Sequence, residues 1–137
     1  MSERPARKSA YNPETLCKPF GIFSNATLAG PGRLDFISGQ VAVDADGKLV
    51  GKDDIRAQTR QVLENLRAAL VPVDGTMKDI TCVNVFLVDM NHLDAVHEVR
   101  ADYWSEEKDY PASTLVQVAG LVHPDFLIEI NATAVVP

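Results

Sequence analysis

The fold is decided by the stretch Phe126-Leu127-Ile128-Glu129-Ile130-Asn131-Ala132-Thr133-Ala134, together with Tyr110-Pro111-Ala112-Ser113-Thr114-Leu115-Val116-Gln117-Val118 before it. Both stretches have the composition of β-strands. In the later one, apolar residues at positions 128, 130, 132 and 134 alternate with Glu129, Asn131 and Thr133. Successive side chains of a strand point to opposite faces, so the alternation predicts one apolar face that packs and one polar face. Glu129, a carboxylate in the middle of this strand, is the first candidate functional residue.

Length and composition predict one globular domain and exclude several classes of partner. The chain has 137 residues, 46% of them hydrophobic, which is enough for a core without disulfides or metals. Its net charge of −6 and its pI near 4.9 argue against binding to nucleic acid or to an anionic membrane, because phosphates require clustered Lys and Arg. No apolar run follows the basic residues of the first ten positions, so we expect a cytoplasmic protein without a signal or anchor.

The residue types that usually hold metals or catalyse covalent chemistry have no characteristic spacing here. Cys17 and Cys82 are far apart, and we interpret them as reduced thiols. His92 and His97 are five residues apart, which does not place them as a pair on one helix face, so we expect no metal site. There is also no nucleophile elbow, phosphate-binding glycine loop or dinucleotide-binding motif.

The first half of the chain has the pattern of two strands followed by a helix. Residues 21–29 and 34–41 have strand composition and flank the turn Gly30-Pro31-Gly32, which predicts an antiparallel hairpin. A period typical of helices begins at Asp53, and Asp53 or Asp54 is expected to cap the helix. Its opposite face, with Arg56, Arg60, Glu64 and Arg67, is expected to face solvent.

The second half predicts a buried strand and a second helix before the closing strands. Residues 80–88 are rich in β-branched side chains, as in a central strand covered on both faces. Asp89 is expected to cap a helix over 93–104, whose inner face takes Leu93, Val96, Val99 or Arg100, and Tyr103. We expect Arg100 itself, about one turn from His97, to face solvent. The element order is ββ(β)αβαββ.

Glu129 has two interpretations on these patterns alone. As a structural residue it would face water or pair with a cation on a neighbouring strand, which is the commoner fate of a strand glutamate. As a functional residue it could hold a water molecule or a substrate N–H group in a shallow, partly apolar pocket.

Several motifs in combination resemble the RidA/YjgF family. They are Ser38-Gly39-Gln40, Ala57-Gln58-Thr59-Arg60 with Asn65-Leu66, Val85 to Asn91, Tyr110-Pro111-Ala112 and Ile128-Glu129-Ile130. The resemblance covers nearly all of the chain from Gly21 onward. It implies an α+β fold of the chorismate-mutase type, with two helices on one face of a mixed sheet. It also implies a homotrimer with small-molecule clefts between subunits, and a division into a polar N-terminal extension, 1–18, and a domain, 19–137.

The resemblance also implies a function and a set of site residues. The best-known branch hydrolyses enamines or imines to 2-oxo acids and ammonia without a cofactor. Glu129 matches the glutamate that positions the attacking water, and Ser38 and Gly39 match the strand that lines the cleft. Ser113 stands where that branch has an arginine that binds the substrate carboxylate, and Leu115 follows it on the same strand. Phe23 replaces the usual tyrosine, and His97 replaces an asparagine.

Loss of the arginine removes a bidentate, charge-assisted pair that a hydroxyl cannot replace. The leading hypothesis is therefore a hydrolase of the imine or enamine deaminase type for a substrate other than 2-aminoacrylate, with Glu129 as the acid/base. The alternative is a protein of the same fold that binds a small molecule without turnover. A ribonuclease or translation-inhibitor role is a third possibility, which the acidic composition disfavours.

Overall fold

The structure, a computed structural model, describes residues 7–137 and has two β-sheets and two helices. A small antiparallel sheet joins β1 (Lys8–Tyr11) to β2 (Ala26–Ala29). The main sheet contains β3 (Arg33–Gln40), β4 (Ile80–Leu87), β5 (Ala112–Gln117) and β6 (Ile128–Val136) in the spatial order β3-β6-β4-β5. Only the β4–β5 pair is parallel, so the sheet is mixed. The helices are α1 (Ile55–Leu70) and α2 (Leu93–Arg100).

The alternation in β6 produces the two faces that the sequence predicts. The apolar residues at 128, 130, 132 and 134 are at most 3% exposed, whereas Glu129, Asn131 and Thr133 are only partly buried. On β4, Val83, Val85 and Leu87 are buried in the same core, and Asn84 is exposed. The core therefore lies on one side of the sheet, where α1 and α2 pack.

Helix α1 begins one residue after its cap. The Asp54 carboxylate accepts a hydrogen bond of 3.0 Å from the Ala57 N–H, which satisfies one free donor of the first turn. The predicted solvent face is confirmed, and Arg56 and Arg60 form exposed ion pairs with Glu98 and Asp102. Exposed pairs contribute little to stability, so the buried stripe of α1 holds it to the sheet.

Gln58 links α1 to the loop before β6. Its side-chain amide donates to the carbonyls of Gly51 and Asp125 and accepts from the Leu127 N–H, and the residue is fully buried. Three hydrogen bonds thus satisfy a buried amide and fix the chain just before Glu129.

The predicted hairpin of residues 21–29 and 34–41 is wrong. Strand β2 pairs with β1, and β3 pairs with β6. Gly30 and Gly32 explain the difference: the Gly30 N–H donates to the Arg7 carbonyl, and a Cβ at Gly32 would lie 2.6 Å from Val135 Cγ1. The turn therefore carries the chain from the small sheet onto the edge of β6. Strand β1 lies in the segment that the sequence analysis treats as a polar extension.

The predicted second helix is shorter than expected. Asp89 caps a 3-10 turn, Met90–His92, that leads into α2, and α2 ends at Arg100 rather than Trp104. The Trp104 ring is buried and its Nε1–H donates to the Met77 carbonyl at 3.0 Å. This hydrogen bond holds the Trp104 ring in the core although the helix has already ended. Within residues 7–137, no helix is long and apolar enough to span a membrane.

Lys8 fastens the small sheet to the main one. It is 8% exposed, and its Nζ donates to the carbonyls of Ile80, at the start of β4, and Asp109, at 2.8 Å for the latter. Burial lowers the pKa of Lys8 to about 8, and the nearby carboxylates of Asp109 and Asp79 partly oppose this shift.

Replacing Lys8 with Met should lower the free energy of unfolding. Met fills a similar volume but leaves two buried carbonyls without their donor, which costs about 1–3 kcal/mol. Urea denaturation measures the change, with exposed Lys18→Met as the matched control. Equal stability of the two variants would show that the Lys8 contacts do not hold the sheets together.

Candidate functional site

A pocket of about 230 Å³ lies between α2, β5 and the segment before β2. We call it the α2 pocket, and it is lined by Phe20, Phe23, Met90, Leu93, His97, Arg100, Ser113 and Leu115. The structure thus brings together four of the residues that the sequence singles out: Phe23, His97, Ser113 and Leu115. Most of the lining is apolar, with a few polar groups that could orient a small molecule.

The expectation that Arg100 faces solvent is wrong. It is 1% exposed rather than in solvent, and its Nη1 donates to Ser113 Oγ at 3.2 Å. Its Nε and Nη2 have no hydrogen-bond partner among residues 7–137. Burial lowers the pKa of Arg100 to about 10, so the guanidinium stays charged at neutral pH. Its Cζ lies 5.6 Å from the centre of the Trp104 ring.

The geometry of α2 explains why Arg100 points inward. It follows buried Val96 by four residues and Val99 by one, so it continues the buried stripe of the helix. The facing residue on β5 is the small Ser113, which leaves room for the guanidinium. The sequence contains the spacing from Val96, but the usual preference of arginine for solvent predicts the opposite orientation.

His97 is held as a neutral imidazole at the pocket wall. Its Nδ1 accepts from the Ile22 N–H at 3.2 Å, so Nε2 carries the hydrogen of the neutral ring. Burial lowers the pKa of His97, and the positive charge of Arg100 lowers it further, against a small opposing effect of Asp94.

Glu129 lies with Gly39 on the other side of the sheet. It is paired with Phe86 of β4, and the register of β3 shifts between Ile37 and Gln40, beside it. A Cβ at Gly39 would overlap the end of the Glu129 side chain, so the glycine lets the carboxylate lie in this position against β3. Ser38, the next residue of this irregular segment, is exposed.

The expected site residues therefore lie in two separate places within one chain. Phe23, His97, Ser113 and Leu115 line the α2 pocket, whereas Ser38, Gly39 and Glu129 lie together elsewhere. Ser113 is in register with buried Val83, on the helix side of the sheet, whereas Glu129 is in register with Phe86, on the open side. The open side also exposes large apolar side chains: Leu34 is 63%, Phe36 73% and Val116 41% exposed. Glu129 shares this open side with polar side chains as well, since Asn84 donates to Asn131 at 2.9 Å beside it.

A second cavity, of about 390 Å³, lies between the segment of residues 12–21 and Tyr110, and Phe23 belongs to both cavities. Apart from Phe23, none of the expected site residues lines it, so the α2 pocket is the better candidate. In the described part of the chain, no three His, Cys, Asp or Glu side chains are grouped as metal ligands.

Known proteins of similar sequence and fold define the class of this chain. The family model described as Endoribonuclease L-PSP matches residues 15–136. A RutC family protein of Pyrococcus horikoshii is 42% identical over 121 residues, which cover 88% of this chain and 92% of that protein. The match by sequence thus spans nearly the whole domain.

Solved structures similar to this chain belong to the same class of protein. A crystal structure of a Rid family protein of unknown function from Yersinia pestis has a TM-score of 0.86 and 36% identity, covering 95% of this chain and 99% of that one. A member of the YjgF/YER057c/UK114 family from Mycobacterium tuberculosis has a TM-score of 0.65 and 29% identity, covering 83% and 86%. The chain belongs to the RidA/YjgF family, and its two helices on a mixed sheet are the fold of that family.

The protonation of His97 provides a direct test of the pocket geometry. NMR titration of the imidazole should give a pKa below the ordinary value of 6.5 and the Nε2–H tautomer. As the pH falls below that value, the unfolded chain takes up a proton before the folded one, so this residue's contribution to stability decreases. Arg100→Met should raise the pKa of His97 by removing the neighbouring charge, and a value unchanged by that substitution would contradict the proximity of the two groups.

Proposed function

We propose that the protein is a cofactor-independent hydrolase of small imines, enamines or related reactive metabolites, acting in the cytoplasm. The observation that carries this proposal is the Glu129 carboxylate, which lies against Gly39 beside the irregular part of β3, on the open side of the sheet. Membership of the RidA/YjgF family supports it, as does the mainly apolar α2 pocket. A carboxylate held in place on such a face can bind a water molecule and act as its general base.

The proposed reaction needs only water and one acid/base. Water adds to the imine carbon, and Glu129 takes one of its protons and passes it to the nitrogen. Glu129 then moves the hydroxyl proton of the resulting carbinolamine to its amino nitrogen. The C–N bond breaks, ammonia leaves with the bonding pair, and the oxygen is left as a carbonyl. An enamine enters the same sequence after protonation at carbon. Nitrogen leaves at the oxidation state at which it arrived, so no redox partner is required.

A homotrimer would bring the two groups of residues into one cleft. Since Glu129 and Ser113 lie on opposite faces of one sheet, Glu129 can reach an α2 pocket only in a neighbouring copy. The exposed Leu34, Phe36 and Val116 give the open face the apolar surface that such an interface would bury. We therefore propose that each cleft combines Glu129, Ser38 and Gly39 of one subunit with the α2 pocket of the next.

Two other functions compete with hydrolysis. A binding protein without turnover would use the same pocket, and its function would not require the carboxylate of Glu129 as an acid/base. Ribonuclease activity is suggested by the description of the family model, but the net charge of −6 gives the protein little attraction for phosphates. Because Ser113 replaces the arginine of the best-known branch and the α2 pocket is lined mainly by large apolar side chains, we propose that 2-aminoacrylate is not the substrate.

Glu129→Gln should reduce imine hydrolysis about 100-fold or more, since the amide cannot accept the proton from water. An L-amino-acid oxidase supplied with leucine generates the imine, and trapping of the remaining imine with semicarbazide measures its consumption. The exposed Glu107→Gln serves as the matched control and should leave the rate unchanged. A folded Glu129→Gln variant that is fully active would remove this residue from the mechanism, and a wild type without activity would favour the binding protein.

The trimer is tested by replacing one exposed apolar residue of the open face. Phe36→Asp should shift the protein toward monomers in sedimentation velocity, because a buried carboxylate at an interface loses its hydration without a partner. Val122→Asp is the control, since Val122 is also apolar and is 86% exposed in the loop between β5 and β6. A monomeric wild type at micromolar concentration, or trimers of both variants, would contradict the proposed interface.

A further inference from the structure

The α2 pocket contains a buried positive charge that nothing in the described chain neutralises. Arg100 makes one side-chain hydrogen bond, to the neutral hydroxyl of Ser113, and forms no ion pair with residues 7–137. Burying a guanidinium without an anion is unfavourable, and native proteins usually pair such a charge. Within residues 7–137, Arg100 therefore lacks a partner of negative charge.

The free edge of the guanidinium indicates the shape of that partner. Nη1 is occupied by Ser113, whereas Nε and Nη2, which lie side by side on the same edge, have no acceptor. Two parallel N–H groups match the two oxygens of a carboxylate in a bidentate pair. One buried cation in a pocket of about 230 Å³ suits a single negative charge better than a doubly charged phosphate.

The remaining lining indicates the rest of the ligand. Phe20, Phe23, Met90, Leu93 and Leu115 surround the space beside Arg100. A branched or longer apolar substituent would bury surface against them, whereas a ligand with a single methyl or methylene group would leave most of that surface unfilled.

We propose that Arg100 is the anion-binding residue of this protein, and that it binds the carboxylate of a small monoanion with a bulky apolar substituent. Ser113 is a positioning residue that holds Nη1 and leaves the Nε and Nη2 edge free. This inference rests on the proposed function in placing a small-molecule ligand in the α2 pocket, but it does not depend on turnover.

The inference gives the serine at position 113 a physical role. An arginine there would face Arg100 across the pocket, and two like charges would repel each other in a poorly solvated space. A serine instead supplies an acceptor and leaves volume for the side chain from α2. Helix α2 thus supplies the guanidinium that β5 lacks.

Calorimetric titration of the assembled protein tests the proposal with 4-methyl-2-oxopentanoate, its uncharged methyl ester and pyruvate. We expect the ester and pyruvate each to bind at least tenfold more weakly than 4-methyl-2-oxopentanoate. Arg100→Met should weaken binding of the branched acid by about 10- to 100-fold, since it removes the bidentate charge-assisted pair. The affinity of Arg100→Lys for the branched acid should fall between those of the wild type and Arg100→Met. Ser113→Ala should weaken binding of the acid several-fold.

Controls keep the outcome decisive. Arg56→Met removes an exposed arginine of α1 and should bind like the wild type, and circular dichroism shows whether each variant is folded. If Arg100→Met does not fold, the comparison of acid with ester on the wild type and the Ser113→Ala variant decide. Equal binding of acid and ester, undiminished binding by folded Arg100→Met, or failure of the wild type to bind the acid would overturn the proposal. Binding that depends on Arg100 without imine hydrolysis would support it while contradicting the proposed enzyme.

Discussion

The pairing of β6 between β3 and β4 is the constraint on which the rest of the structure depends. Apolar and polar residues alternate strictly along β6. The apolar residues at 128, 130, 132 and 134 are therefore buried under the two helices, and Glu129 points to the open side. A shift of one residue would reverse both faces at once, so the apolar set fixes the register and with it the position of the carboxylate. The same packing that stabilises the core thus decides that Glu129 and the α2 pocket cannot meet within one chain.

The buried guanidinium of Arg100 is the second consequence of this arrangement. A core built for stability alone would place an apolar side chain beside Val96 and Trp104, because an unpaired buried charge is unfavourable. Here a charged residue occupies the stripe, its Nη1 donates to Ser113, and its buried Nε and Nη2 have no hydrogen-bond partner among residues 7–137. A neutral His97 beside it adds no second positive charge. The pocket therefore has a single positive charge among mainly apolar side chains. This arrangement suits a small anion that carries an apolar substituent.

The sequence predicted the elements whose patterns are local. The alternation of β6, the period of α1 with Asp54 as its cap and the central position of β4 follow from spacing within each segment. The pairing of β2 with β1 and the inward orientation of Arg100 depend instead on residues far apart in the chain. Gly32 meets Val135, and Arg100 meets Ser113 and Trp104, contacts that no local pattern contains. The resemblance to the family indicates that Ser113 stands in place of an arginine. Only the fold shows that another arginine, Arg100, lies beside it.

The central claim is that one cleft combines the α2 pocket with a glutamate from a second copy of the chain. A crystal structure of the protein with 4-methyl-2-oxopentanoate tests it most directly. The account predicts a trimer in which the carboxylate lies about 3 Å from Nε and Nη2 of Arg100, while Glu129 of the adjacent subunit faces the 2-oxo carbon. A ligand bound away from Arg100, or a Glu129 that faces solvent in every subunit, would contradict it.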